Sequence, residues 1–95
     1  MKSAPSQTIV SGLLRKCEPA PDGFGGDVEI EVDLNESPDP AADFIRPAPG
    51  TVLRAFFGEL GPPQQRWTGL QVRATLTFLG GPGGGRAVVQ RLVKR

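Results

Sequence analysis

A run of ten residues from Leu70 to Leu79 constrains the fold more than any other part of the sequence. Apolar and polar side chains alternate along it from Leu70 to Phe78 without a break. A period of two sends one set of side chains into a core and the other towards water, so the run predicts a half-buried β-strand. A glycine-rich segment at 80–85 and a second β-like run at 86–93 follow. Together these segments predict a long hairpin that closes a small all-β domain.

A second strand is predicted over 27–34, where the alternation is equally strict. Its expected inward residues are Val28, Ile30, Val32 and Leu34, and its expected outward residues are Asp27, Glu29, Glu31 and Asp33. The carboxylates would lie about 6.6 Å apart along the strand and would repel one another if unpaired. We therefore expect neighbouring strands to supply cross-strand partners. The candidates are Arg15, Lys16 and Arg54.

Two further strands are predicted at 8–16 and 51–57. Gly12 interrupts the first, and an isolated glycine in a strand suggests a bulge or a sharp bend. In the second, one face is apolar, whereas the other carries Arg54 between Val52 and Phe56 and is suited to meet another element or a partner. No segment supports three turns of amphipathic helix, so helix is expected to be minor. The predicted core comprises Ile30, Val32, Leu53, Val72, Ala74, Leu76 and Phe78.

The connections between these strands carry isolated aromatic residues. Phe24 lies among glycines in the loop 17–26, where it either folds back over the barrel mouth or stays exposed for stacking or docking. In the proline-rich connection 35–50, Phe44 and Ile45 are expected to anchor the loop to the core. Trp67, in the segment 58–69, is expected to be a half-buried plug beneath the barrel, although it is also a candidate stacking residue.

The length of 95 residues predicts one domain, at 8–95, preceded by a flexible N-terminus at 1–7. Glycine and proline make up about a quarter of the chain but fall between the periodic runs, which indicates loops in a folded domain. A single cysteine, Cys17, excludes an internal disulfide and a multi-cysteine zinc site, and fits a reducing compartment such as the cytoplasm. No signal peptide is expected, because no apolar stretch follows residues 1–5, and no membrane span is expected, because no apolar run approaches about 18 residues.

The composition also argues against an enzyme. The sequence contains no histidine and no tyrosine, so Ser-His-Asp and Cys-His arrangements are impossible. The glycine-rich segment 80–85 lacks the Lys-Ser/Thr of a phosphate-binding loop. Glu29 and Glu31 share a face, but an exposed carboxylate stripe is far more common than an acid pair or a cation site. We expect no catalytic residue, no cofactor and no metal.

The five β runs and the bend in the first strand resemble the OB-fold, a five-stranded Greek-key barrel. The pattern of the fourth strand, preceded by Thr68-Gly69, is similar to that of such barrels. An SH3-like barrel is the alternative. The usual OB helix between strands three and four would have to fit into 58–69, which permits only a turn. The resemblance implies that ligands meet the face of strands two and three and the loops 17–26 and 80–85.

Charge is divided along the chain although the net charge is only +1. Residues 18–43 hold nine acids and no base, whereas residues 44–95 hold eight bases and one acid. We expect acidic and basic strands to lie side by side and neutralise each other. A protein-interaction or structural subunit is then the leading hypothesis, with the oligomeric state open. Single-stranded nucleic-acid binding is the alternative, although the near-neutral charge counts against it. Its candidate phosphate contacts are Arg54, Arg73, Arg86 and Arg91, and its candidate stacking residues are Phe24, Phe56 and Trp67.

Overall fold

The computed structural model of the protein describes residues 6–81 and 84–95. The elements are β1 (Thr8–Pro19), β2 (Gly26–Asn35), β3 (Val52–Phe57), α1 (Pro62–Gln65), β4 (Gln71–Gly81) and β5 (Gly84–Lys94). All five predicted strands are confirmed, and their ends differ from the prediction by at most three residues. The segment between β3 and β4 holds only the single helical turn of α1, as its prolines and glycines predict.

The five strands form a closed barrel in the order β1-β2-β3-β5-β4. β1 pairs antiparallel with both β2 and β4, and its pairing with β4 closes the barrel. β3 and β5 are the one parallel pair of neighbours among the described strands. The closed five-stranded barrel is consistent with an OB-like architecture.

The core fills the barrel with the inward residues of all five strands. Val10, Leu14, Val28, Ile30, Val32, Ala55, Phe57, Val72, Ala74, Leu76, Ala87, Val89 and Leu92 are buried. Five of the seven predicted core residues are among them. These five lie on β2 and β4, where the strict alternation of the sequence predicts the inward side chains. Leu53 is only partly buried and packs against this cluster. The prediction for Phe78 is wrong, since 37% of its surface is exposed.

Gly12 marks the predicted bend in β1. The β1–β2 register shifts between Ser11 and Gly12, which leaves Asp33 as an extra residue of β2. A Cβ atom at Gly12 would lie 2.0 Å from the carbonyl oxygen of Glu31, so only glycine permits this close approach. The extra residue also shifts the alternation of β2. Leu34, expected to face the core, is therefore 54% exposed.

A buried carboxylate holds the long connection between β2 and β3. Asp43 accepts hydrogen bonds from the Thr8 hydroxyl at 2.5 Å, the Asn35 amide at 2.7 Å and the Arg46 backbone N–H at 2.8 Å. Burial raises the pKa of the Asp43 carboxyl, but these hydrogen bonds lower the pKa by more, so the net shift is downward. This arrangement fixes the position of Phe44, the next residue along the chain.

The predicted flexible N-terminus covers residues 1–7, of which 1–5 lie outside the described residues. The Gln7 backbone N–H donates to the Ala42 carbonyl oxygen at 2.8 Å, and the Ser6 hydroxyl accepts from the Phe78 backbone N–H at 2.8 Å. The chain thus contacts the barrel before β1 begins. No helix in the described ranges is long and apolar enough to cross a bilayer.

Candidate partner-binding groove

The barrel wall is incomplete between β3 and β5. These strands pair only where Phe56 lies opposite Val88 and Phe57 opposite Val89. Before these pairs, the first half of β3 faces the β4–β5 hairpin across a groove of about 450 Å³. We call this depression the seam groove. It is lined by Asp27, Phe44, Ile45, Leu53, Arg54, Ala55, Phe56, Phe78, Gly85, Arg86 and Ala87.

The walls of the seam groove are mainly apolar. Phe44 is 58% exposed and Phe78 is 37% exposed, so both present aromatic surface to solvent. Ile45 and Leu53 lie behind them and pack against the core. Ile45 thus anchors the connection as predicted, whereas Phe44 does not, because its ring remains largely in water. The groove therefore leads from an aromatic rim towards the barrel interior.

Phe78 lines the groove because it lies opposite Ala87, on the part of the hairpin that does not pair with β3. β4 and β5 stay paired as far as Gly81 and Gly84, whereas β5 pairs with β3 only from Val88 onward. Phe78 thus has the alternation of a core residue, but at its level β3 lies across the groove and leaves the ring partly uncovered.

A Cβ atom at Gly85 would lie 2.4 Å from Cζ of Phe78, so the ring occupies the space that this glycine leaves free. An aromatic ring packed over a glycine of the neighbouring strand stabilises the strand pairing there, which here is the pairing of Gly80 with Gly85.

The two arginines at the groove differ in their pairing. Arg54 contacts Asp27 across the β2–β3 pair, with Nη2 to Oδ2 at 3.0 Å, and this hydrogen bond and charge raise the pKa of the guanidinium. Arg86 instead lies over the Phe56 ring, 4.8 Å from its centroid, in cation–π geometry. Within the described residues, no carboxylate forms an ion pair with Arg86.

A second depression of about 300 Å³ adjoins the seam groove and shares Asp27, Phe56 and Arg86 with it. Its remaining lining residues are Glu18, Pro19, Ala20, Pro21 and Gly26. The Arg86 guanidinium therefore stands at the junction of the two depressions. Both loops that the OB resemblance associates with ligands contribute lining residues, 17–26 to the second depression and 80–85 to the seam groove.

The predicted site residues do not form one cluster. Arg54, Phe56 and Arg86 meet at the seam groove, whereas Arg73 and Arg91 line a separate depression formed by β1, β4 and β5. Trp67 is half-buried and packs against the core, as expected for a plug. Phe24 is 77% exposed at the tip of its loop and lines neither depression at the junction. Its backbone N–H donates to Asp22 Oδ1 at 2.9 Å.

The acidic outer face of β2 is flanked by arginines, as expected. Arg15 contacts Glu31 at 2.6 Å from β1, and Arg54 contacts Asp27 from β3. Lys16, also expected to pair with β2, instead contacts Glu18 on its own strand at 3.0 Å. Cross-strand pairing therefore neutralises part of the carboxylate stripe.

The sequence reasoning missed Phe78, Phe44 and Asp27 as groove residues. For Phe78, the available signal was the glycine run that follows it, because glycines have no side chains that could extend the core around the ring. For Asp27 and Phe44 no local pattern marks the groove, since it arises from a gap between strands that are distant in sequence.

The described residues contain no group of three or more His, Cys, Asp and Glu side chains placed to hold a metal ion. Cys17 is half-buried, and burial raises the pKa of its thiol, which disfavours the nucleophilic thiolate. No protein-family model matches the chain, and no curated protein matches it as a relative.

Proposed function

We propose that this protein is a non-enzymatic OB-type binding module whose seam groove takes up a segment of another protein. The observation that carries the proposal is the groove itself, an apolar opening at the β3–β5 seam with Phe44 and Phe78 exposed at its rim. Concave, mainly apolar surfaces with a few polar groups are typical of binding sites, and exposed aromatic residues are enriched where proteins associate.

Membership of the OB superfamily is proposed on topology. The barrel order, the parallel β3–β5 pair and the bend at Gly12 are the features of that architecture present in the chain. In OB-type barrels the ligand meets the face of strands two and three and the adjoining loops. The seam groove lies beside β3 and takes residues from β2 and the β4–β5 hairpin, which supports the assignment.

A protein ligand is favoured over nucleic acid by the charges near the groove. Asp27 is part of the lining and pairs with Arg54, while Arg15 pairs with Glu31 on the same acidic strand. A polyphosphate chain would meet these carboxylates and few unpaired cations, whereas nucleic-acid sites usually show a basic excess. The candidate cations Arg73 and Arg91 lie in another depression.

The proposal is tested with a matched pair of exposed apolar residues. Phe44, 58% exposed, lines the groove, whereas Leu79, 54% exposed, does not. The chain and its Phe44→Ser and Leu79→Ser variants are used to capture partners from the source cell, and the captured protein is then purified and titrated. We expect the affinity to fall about tenfold or more in Phe44→Ser, as for an interface anchor, and to stay unchanged in Leu79→Ser. Equal affinities for all three would contradict the proposal.

Single-stranded nucleic acid is a second candidate because Arg86 lies on Phe56 near the exposed rings of Phe44 and Phe78. Aromatic and arginine planes of this kind stack on bases. The test is an oligonucleotide titration at about 50 mM and about 200 mM salt, since phosphate binding weakens steeply with salt. We expect near-background binding at both concentrations. Micromolar binding at low salt that is lost in Arg86→Gln would make nucleic acid the leading function.

The absence of enzymatic activity is part of the proposal. It rests on the missing histidine and tyrosine and on the exposed ion pair of Glu31 with Arg15. A carboxylate held in such a pair is poorly suited to transfer protons. A turnover that disappears in folded Glu29→Gln or Glu31→Gln variants would contradict it.

A further inference from the structure

Arg86 has a position that sets it apart from the other cation at the groove. Its guanidinium lies over the Phe56 ring and borders both the seam groove and the adjoining depression. Arg54, its neighbour in the lining, is engaged by Asp27. Arg86 is exposed, and within the described residues it has no carboxylate partner. The groove thus offers one unpaired positive charge next to an apolar surface.

The chemistry around Arg86 favours a carboxylate ligand. One face of the guanidinium is covered by Phe56, which leaves its N–H edge available for hydrogen bonds. Guanidinium groups are weakly hydrated and bind carboxylates with two parallel hydrogen bonds. An anionic group brought beside the apolar wall would be partly shielded from water, which strengthens these bonds relative to bulk water.

We propose that the seam groove selects an extended peptide in which an apolar side chain is followed closely by an acidic one. This inference rests on the proposed protein-binding function. The apolar side chain fits among Phe44, Leu53 and Phe78, and the acidic side chain pairs with Arg86. A peptide can place a single charge at Arg86 and neutral groups beside Asp27 and Glu18, which a chain with a phosphate at every nucleotide cannot do.

The extended conformation follows from the open strand edge at the groove. Leu53, Arg54 and Ala55 pair with β2 on one side, whereas on the other side β3 pairs with β5 only from Phe56 onward. An unpaired strand edge is a template for main-chain hydrogen bonds with an added strand, and side-chain pockets then provide the specificity. A helical ligand would leave this edge unused.

The test uses three labelled peptides, Ser-Gly-Phe-Ser-X-Ser-Gly, in which X is Glu, Gln or Lys. Binding is followed by fluorescence anisotropy and by backbone NMR shifts of the chain. We expect the Glu peptide to bind about tenfold more tightly than the Gln peptide, as for a charge-assisted hydrogen bond, and the Lys peptide to bind most weakly. The difference between Glu and Gln should vanish in Arg86→Gln. It should persist in Arg66→Gln, which removes an exposed arginine outside both depressions.

The outcomes separate this inference from the proposed function. If all three peptides shift the signals of Leu53, Phe56 and Phe78 with equal affinity, the acidic preference is wrong while the groove remains a peptide site. If no peptide shifts these signals, both ideas fail. A single-stranded oligonucleotide that shifts them more strongly than the Glu peptide, and depends on Arg86, also overturns the inference in favour of nucleic acid.

Discussion

At the scale of single residues, two glycines in the hairpin have different tasks. A Cβ atom at Gly85 would lie 2.4 Å from the Phe78 ring and 2.8 Å from the Leu79 carbonyl oxygen. At Gly80 the nearest atom would be 3.4 Å away, which is an ordinary contact. Gly85 therefore makes room for the ring that forms one rim of the groove, whereas Gly80 is spatially replaceable.

Replacing these glycines by alanine should have opposite results. Gly85→Ala should displace the Phe78 ring and cost about 1–3 kcal/mol, as for overpacking at a filled site. Gly80→Ala should be neutral or slightly stabilising, by up to about 1 kcal/mol, because alanine restricts the unfolded chain. Urea unfolding gives the free energies, and the NMR signals of the Phe78 ring report its displacement. Equal costs for both variants would show that the ring does not need the space at Gly85.

Asp43 is the residue whose chemistry makes the fold sensitive to acid. Its carboxyl pKa is lowered in the folded chain, so its contribution to stability is full above the ordinary pKa of 3.8 and is lost as the pH falls through the folded value. Asp43→Ala should cost about 1–3 kcal/mol at neutral pH, because the buried Thr8 hydroxyl loses its partner. The free energy of unfolding of the variant should also fall less between neutral and acid pH than that of the wild type.

Urea unfolding over a pH series measures both effects. Asp39→Asn is the control, since Asp39 is exposed in the same connection. An Asp43→Ala variant with the pH dependence of the parent would rule out this role. Loss of Asp43 should also release Phe44, so groove binding and acid sensitivity are expected to be linked through one loop.

At the scale of elements, β4 combines a barrel strand with one side of a projecting hairpin. Leu76 is fully buried, whereas Leu79, three residues later, is 54% exposed. Leu76→Ala should cost about 2–5 kcal/mol as a buried truncation, and Leu79→Ala less than about 0.5 kcal/mol as a surface change. Both values come from urea unfolding monitored by Trp67 fluorescence. A loss of less than about 0.5 kcal/mol of unfolding free energy in Leu76→Ala would mean that Leu76 does not face the core.

At the scale of the whole molecule, barrel closure depends on contacts between distant parts of the chain. Thr8 pairs with Leu76, and the barrel is not closed until β1 meets β4. Because such pairings must overcome the entropy of closing a long loop, we expect the main refolding phase to take milliseconds to seconds. Stopped-flow dilution from urea, followed by Trp67 fluorescence, measures it. A dominant microsecond phase would contradict closure as the slow step.

Much of the fold was predictable because alternation is a local property. The strict period of two in β2 and β4 identified both strands and placed Ile30, Val72 and Leu76 inside correctly. The glycine-rich segment predicted the hairpin, although its residues 82–83 lie outside the described ranges. Of the candidate site residues, Arg54, Phe56 and Arg86 converge on one groove, and Arg73 and Arg91 do not.

The sequence by itself determined where the strands run and which side of each strand is apolar, because side-chain direction in a strand follows from the backbone alone. Only the tertiary structure decided which apolar side chains are covered. Leu34 points outward because a bulge opposite Gly12 shifts its strand, and Phe78 is exposed because β3 and β5 are not paired at its level of the hairpin. The groove itself is the place where β3 and β5 separate, and the length over which two distant strands pair depends on how the whole barrel closes.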